Sequence, residues 1–143
     1  MTLLEKAIAL ALRAHSGQTD RYGQPYILHP LFIMQQMDTE AERIAAVLHD
    51  VVEDSDITLD DLRVEGFPAE AIEAVRLLTH DKSETSYEAY IATLKPNAIA
   101  RKIKLADLQH NMDIRRMDRV RPEDVERLQR YRQAWETLKE KDQ

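Results

Sequence analysis

The stretch AAVLHDVVED, residues 45–54, joins an apolar run to a histidine and three carboxylates. Its apolar side chains recur at intervals of three and four residues, which indicates one face of a helix. Upstream, Thr39 and Glu42 have the spacing of a capping box, so we expect this helix to run from about Thr39 to Val52. Acids at a helix C-terminus oppose the helix dipole, and buried carboxylates are usually paired or bound to a metal. The stretch therefore predicts either a solvated acidic helix end or a site for a cation.

The same helical spacing extends over nearly the whole chain, and strand-like alternation is missing from the sequence. Pro30, Pro68 and Pro122 fall where helices are expected to start. We find no repeat, low-complexity tract or linker, so residues 1–143 are predicted to form a single-domain, all-α bundle of about six to eight helices. The last helix is predicted to bury a stripe made of Val125, Leu128, Tyr131, Trp135 and Leu138.

Composition excludes several classes of chemistry. The 143 residues contain no cysteine, so disulfides, thiolate metal sites and thiol nucleophiles are excluded, and any metal must be held by His, Asp or Glu. A net charge of −6 argues against binding of duplex nucleic acid, although the segment 102–121 is rich enough in Lys and Arg to attract a small anion. No signal-like start or apolar run of membrane length is present, which predicts a cytoplasmic protein without a membrane partner.

Two further segments carry candidate metal ligands. YILHP places His29 at the beginning of a helix, and KIKLADLQHNM places Asp107 among apolar residues, where an unpaired carboxylate would be costly. Each segment has an ordinary alternative, because a histidine before a proline is a common helix start and Asp107 could simply pair with Lys104. His49 and Asp50, taken alone, are equally consistent with a metal site and with a histidine satisfied in the core.

Taken together, the motifs AHSGQTDRYGQPYILHP, AAVLHDVVED and KLADLQHNM resemble, in order and spacing, a known family. It is the HD-superfamily hydrolase domain of the bifunctional RelA/SpoT alarmone enzymes and of the small stand-alone alarmone hydrolases. The resemblance runs from about Ala7 to the end of the chain. It implies an HD-type helical fold and metal-dependent hydrolysis of a phosphoester or pyrophosphate ester on a nucleotide, typically the 3′-pyrophosphate of (p)ppGpp.

The resemblance also implies a role for each matching residue. A divalent metal, usually manganese, would be bound by His29, His49, Asp50 and Asp107. The acidic pair that positions and activates the attacking water would be Glu53 and Asp54. The nucleotide pocket would include Arg21, Lys104 and Asn111, for which a surface role is equally compatible with the sequence. We expect His110 to support Asp107 from outside the ligand set.

Three positions depart from the family pattern. Asp20 and Tyr22 replace a cation and a small polar residue, and Leu108 stands where an arginine is usual. These changes are predicted to remove about two positive charges from the substrate side, which leaves open whether the substrate is an alarmone or another phosphoester. Two alternatives are a degenerate HD domain that binds a nucleotide as a sensor without turnover, and a protein whose helices only associate with partners.

Overall fold

The computed structural model describes residues 1–140, so the last three residues of the predicted domain lie outside it. Within that range the chain forms nine α-helices and one 3-10 helix, Ile114–Arg116, and no β-strand. The prediction of an all-α fold is confirmed. The helices are α1 (Leu3–Ala14), α2 (Leu28–Gln35), α3 (Glu40–Leu48), α4 (Val51–Asp54), α5 (Leu59–Val64), α6 (Ala69–Leu78), α7 (Tyr87–Leu94), α8 (Ala98–Asn111) and α9 (Pro122–Lys139).

The predicted helix from Thr39 to Val52 is interrupted in the structure. Its start is as expected, because Thr39 accepts a hydrogen bond from the Glu42 N–H while the Glu42 carboxylate accepts one from the Thr39 N–H. The helix ends at Leu48 because the Ala46 carbonyl accepts bonds from the backbone N–H and the Nδ1 of His49. In a continuous helix that carbonyl would accept the Asp50 N–H. This break is one reason why residues 1–140 contain more helices than predicted.

Helix α3 lies at the centre of the bundle and packs against α1, α2, α6 and α8. All five residues from Ile44 to Leu48 are buried in one hydrophobic cluster, which is the most continuous burial in the chain. The C-terminal end of α3 is therefore enclosed by the helices around it. His49 and Asp50, which follow directly, lie inside the bundle rather than at a solvated helix end.

Helix α9 buries most of the predicted stripe but not its first residue, since Tyr131, Trp135 and Leu138 lie in or against the hydrophobic core as expected. Val125 is 45% exposed, whereas Asp124 and Arg127 are buried as an ion pair with an N–O distance of 2.7 Å. The assignment of Val125 to the buried stripe is therefore wrong, although Leu138 is buried as expected. The sequence pattern assigns apolar side chains to the buried face of a helix and charged side chains to its exposed face. Opposite charges one turn apart, however, neutralise each other and can be buried together.

Among residues 1–140, no helix has both the length and the apolar character needed to cross a lipid bilayer.

Candidate active site

Four predicted metal ligands from three segments of the chain come together between α2, α3 and α8. His29 lies in the first turn of α2, His49 and Asp50 lie at the break after α3, and Asp107 lies on α8. One ligand atom from each of His29, His49 and Asp50 falls within 4.8 Å of the others. Asp107 Oδ1 lies 2.7 Å from His29 Nε2 and 3.7 Å from His49 Nε2. The structure therefore brings the four side chains into one cluster.

The orientation of His49 makes it suitable as a metal ligand. Its Nδ1 lies 2.6 Å from the Ala46 carbonyl, so Nδ1 carries the proton and donates it to that oxygen. The buried Nε2 has no hydrogen-bond partner among the described residues and lies 3.0 Å from Asp50 Oδ2. Burial lowers the pKa of His49, but Asp50 and Asp107 outweigh it and raise the pKa well above its ordinary value. A nitrogen enclosed by carboxylates in this way binds either a proton or a metal cation, so the residues present fit a metal.

The two carboxylates of the cluster are held in their ionised form. Burial raises the pKa of Asp50, but the adjacent His49 outweighs that effect and lowers the pKa to about 2. The hydroxyl of Tyr26 donates a hydrogen bond to the Asp50 carboxylate. Burial also raises the pKa of Asp107, but Lys104 Nζ, 2.9 Å from its Oδ2, helps to hold that pKa well below its ordinary value. Ionised carboxylates beside two imidazoles form a donor set that suits a divalent ion.

Glu53 and Asp54, the predicted acidic pair, lie in the single turn α4 that follows the ligands. Glu53 accepts a hydrogen bond from the backbone N–H of His80, a partner that the sequence did not indicate. Glu53 lines the pocket that is described in the next paragraph, whereas Asp54 is not among the described residues that line it. Partial desolvation and the carboxylates of Asp50 and Glu53 raise the pKa of Asp54 to about 6, and desolvation raises the pKa of Glu53 as well. Only Glu53 thus has direct access to the pocket.

The four predicted metal ligands, named the metal-ligand cluster after that predicted role, line a pocket of about 410 Å³, here called the main pocket. Its volume is within the range of small-molecule sites. The three predicted nucleotide-binding residues, Arg21, Lys104 and Asn111, line it. Lys104 and Asn111 also bond to Asp107, with Asn111 Nδ2 3.1 Å from Oδ1. Sequence reasoning missed other lining cations, which come from a loop, the 3-10 helix and α9 and have no shared local pattern. The cations of the lining are Arg21, Lys82, Lys104, Arg116 and Arg130.

The structure corrects three expectations about the substrate side. Leu108 is 0% exposed and belongs to the core, so the prediction that it removes a positive charge from the substrate side is wrong. Asp20 Oδ2 lies 3.3 Å from the Nη2 of Arg116, so its charge is paired. His110 contacts His29 through their Nδ1 atoms, 2.7 Å apart, rather than supporting Asp107 by a hydrogen bond. On a helix, adjacent residues point in different directions, which explains why Leu108 faces away from the pocket that Asp107 faces.

Comparison with known proteins relates the chain to guanosine-3′,5′-bis(diphosphate) 3′-pyrophosphohydrolases, although no family model matches it. The chain is 34% identical over 140 residues to the guanosine-3′,5′-bis(diphosphate) 3′-pyrophosphohydrolase of Vibrio cholerae. It is 36% identical over 140 residues to the bifunctional (p)ppGpp synthase/hydrolase SpoT of Escherichia coli K12. Each alignment covers 89% of this chain and 20% of the relative. The chain is a homologue of these enzymes. It spans about a fifth of the length of the curated relatives it matches.

A solved structure of a metazoan SpoT orthologue, described as hydrolysing ppGpp, has the same fold. It superposes with a TM-score of 0.80 at 24% sequence identity, covering 97% of this chain and 86% of the other. The resemblance found in the three motifs and the HD-type helical fold are both confirmed. The roles of the clustered residues stay predictions that follow from their geometry.

Proposed function

We propose that this protein is a metal-dependent pyrophosphohydrolase that removes the 3′-diphosphate of guanosine 3′,5′-bis(diphosphate). The observation that carries the proposal is the convergence of His29, His49, Asp50 and Asp107 on the floor of a pocket lined by five cations. A divalent ion and a polyphosphate together satisfy this combination of ligands and charge. The similarity to enzymes named for this reaction supports the choice of substrate.

The proposed metal is manganese, held by the two imidazoles and two carboxylates. When bound, such an ion lowers the pKa of a coordinated water and polarises a phosphoryl oxygen. Three of the four proposed ligands have their orientation fixed by an outer contact: Ala46 sets the proton position of His49, Tyr26 donates to Asp50, and Lys104 donates to Asp107. These outer contacts keep the ligand atoms directed into the cluster.

Glu53 is the proposed general base. Its carboxylate lines the pocket, is anchored by the His80 N–H, and has a raised pKa, which brings its basicity nearer to that needed at neutral pH. Desolvation and the carboxylate of Asp50 raise the pKa of Glu53 and so support its basicity. Water attacks the phosphorus that is bonded to the 3′ oxygen, and Glu53 accepts a proton from that water. The bond between this phosphorus and the 3′ oxygen breaks, pyrophosphate is released, and the 3′ oxygen takes a proton from solvent. Lining cations such as Arg21 and Lys82 offset the charge of the substrate during this step.

The test compares binding of metal with turnover. Manganese-loaded protein is incubated with guanosine 3′,5′-bis(diphosphate), GTP and GMP, and release of pyrophosphate or phosphate is measured. We expect Asp50→Ala to lose both the metal, measured by elemental analysis, and turnover. Glu53→Gln is expected to keep the metal and lose about 10²- to 10⁴-fold in kcat. The control is Glu70→Gln, since Glu70 is an exposed acid in the first turn of α6.

Each part of the proposal has its own refuting outcome. Full activity in Glu53→Gln would refute its role as base while leaving the metal site in place. Binding of the nucleotide by the loaded parent without any release of product would favour a sensor over an enzyme. A parent protein that retains no manganese, iron, cobalt or zinc would refute the metal centre itself.

A further inference from the structure

An ion pair joins two segments that face each other at the mouth of the main pocket. Asp20 lies in the loop between α1 and α2, and Arg116 ends the 3-10 helix that follows α8. Arg116 Nη2 lies 3.3 Å from Asp20 Oδ2, and its Nη1 donates to the His110 carbonyl at 2.8 Å. The guanidinium also lies over the ring of Tyr22, 5.5 Å from the centroid. Arg116 is therefore fixed from three sides, and its side chain is only 19% exposed.

The other oxygen of Asp20 organises its own loop. Oδ1 accepts hydrogen bonds from the N–H of Tyr22 at 2.8 Å and of Gln24 at 3.0 Å. Both carboxylate oxygens thus have partners, and the charge of Asp20 is balanced by Arg116 instead of facing the pocket alone. The sequence interpretation of Asp20 as an acid that weakens binding of an anion does not take this pairing into account.

Arg116 also lines a second cavity that adjoins the main pocket. This cavity measures about 310 Å³ and shares Asp20, Arg21 and Arg116, among other residues, with the main pocket, whereas Tyr22 and Arg127 line the second cavity and not the main pocket. A guanidinium has five N–H donors, and the contacts to Asp20 and His110 described above use two of them. The remaining N–H donors of Arg116 are left for a ligand in this cavity, which Arg21 and Arg127 also line.

From this arrangement we infer that Arg116 binds the phosphate group of the nucleotide that is not cleaved, and that Asp20 is the positioning residue for Arg116. The inference rests on the proposed function, whose substrate carries one diphosphate on the 3′ oxygen and one on the 5′ oxygen. The 3′ group must reach the metal-ligand cluster, so the 5′ group requires a separate cationic site. The cavity beside Arg116 provides it, with a planar guanidinium that matches phosphate oxygens.

The experiment uses GDP, whose only phosphates are the 5′ pair, and guanosine, which has none. Dissociation constants of both are measured by calorimetry for the manganese-loaded parent and variants. The parent should bind GDP at least about tenfold more tightly than guanosine, and Arg116→Met should reduce that ratio by about tenfold. Arg116→Lys should recover part of the ratio, since it keeps the charge and loses the paired donors. A damaged fold would weaken both ligands equally and leave the ratio unchanged.

Arg115→Met is the matched control, because Arg115 is the adjacent arginine, 88% exposed, paired with Asp113 at 2.9 Å, and absent from the residues lining these cavities. It should leave the ratio unchanged. Asp20→Asn gives the sharpest distinction: if Asp20 positions Arg116, the variant binds GDP more weakly, and if Asp20 repels the anion, it binds GDP more tightly.

Three results would each overturn the inference. They are tighter binding of GDP by Asp20→Asn, an unchanged ratio in an Arg116→Met variant that binds guanosine as tightly as the parent does, and a parent that does not distinguish GDP from guanosine. Because GDP lacks the 3′-diphosphate, none of these measurements depends on turnover. The proposed function is judged separately, by release of pyrophosphate from guanosine 3′,5′-bis(diphosphate).

Discussion

Replacing Lys104 by methionine tests whether the metal-ligand cluster is electrostatically balanced as the structure indicates. Lys104 Nζ lies 2.9 Å from Asp107 Oδ2, and the two side chains are 14% and 7% exposed. Burial lowers the pKa of Lys104, but Asp107 outweighs it and raises the pKa well above its ordinary value, so the pair is fully charged at neutral pH. Methionine keeps much of the packing against the Tyr90 ring, 5.3 Å from Nζ, and removes only the charge.

In the metal-free protein, Lys104→Met is expected to lower the free energy of unfolding substantially. Breaking a buried ion pair by removing one partner costs about 3–5 kcal/mol, since the remaining carboxylate stays buried. For a chain of this length that corresponds to a decrease of about 10–20 °C in the melting temperature. With a divalent cation bound, Asp107 regains a positive partner and the repulsion between Lys104 and the cation is absent. The loss should therefore be smaller in the manganese-loaded protein, and the stabilisation by manganese should increase.

Urea unfolding followed by circular dichroism, in EDTA and in manganese, measures both effects. Lys102→Met is the matched control on the same helix: its Nζ contacts Asp38 at 2.6 Å and Glu42 at 3.0 Å, but its side chain is 36% exposed. An exposed pair contributes at most about 1 kcal/mol. A loss below about 1 kcal/mol in metal-free Lys104→Met, or an equal loss in the two variants, would refute the assignment of a buried charge pair. Equal losses with and without manganese would refute the compensation by metal.

Three other predictions concern single residues. Leu108→Ala should lower the free energy of unfolding by about 2–5 kcal/mol, because Leu108 is fully buried. It should leave KM unchanged. A changed KM at unchanged stability would instead place the Leu108 side chain in the pocket. Thr39→Ala should cost about 1 kcal/mol in urea unfolding through loss of the N-cap of α3, and an unaffected midpoint would contradict the cap. Asp54→Asn should stabilise the metal-free protein at pH 7–8 and have no effect below about pH 4. The pKa of Asp54 in the folded protein, about 6, lies above its value in the unfolded chain, so ionisation of Asp54 lowers stability as pH rises from about 4 to 6. Equal Tm values for Asp54→Asn and the parent at pH 7–8 would refute this.

The sequence alone determined the helical class, most helix starts and the set of candidate ligands. The helical class and the helix starts depend on local chemistry, since apolar spacing predicts helices and Thr39 with Glu42 predicts a cap. The full set of candidate ligands followed from the resemblance carried by the three motifs, because His49 and Asp50 alone also fit a histidine satisfied in the core. The same motifs predicted the similarity to (p)ppGpp hydrolases that the comparisons found, because their order and spacing are written in the chain itself. What the sequence could not supply was the distance between ligands separated by up to 78 residues, such as His29 and Asp107.

Only the tertiary structure decided which side chains face the pocket. It placed Leu108 in the core, paired Asp20 with Arg116, and brought Lys82 and Arg130 to the pocket wall. These outcomes depend on the rotation and packing of whole helices, and a rotation of one residue on a helix moves a side chain by about 100°. A charge that appears to oppose the substrate in the sequence is balanced in the structure by an arginine 96 residues away, because electrostatic energy depends on distance in space and not along the chain.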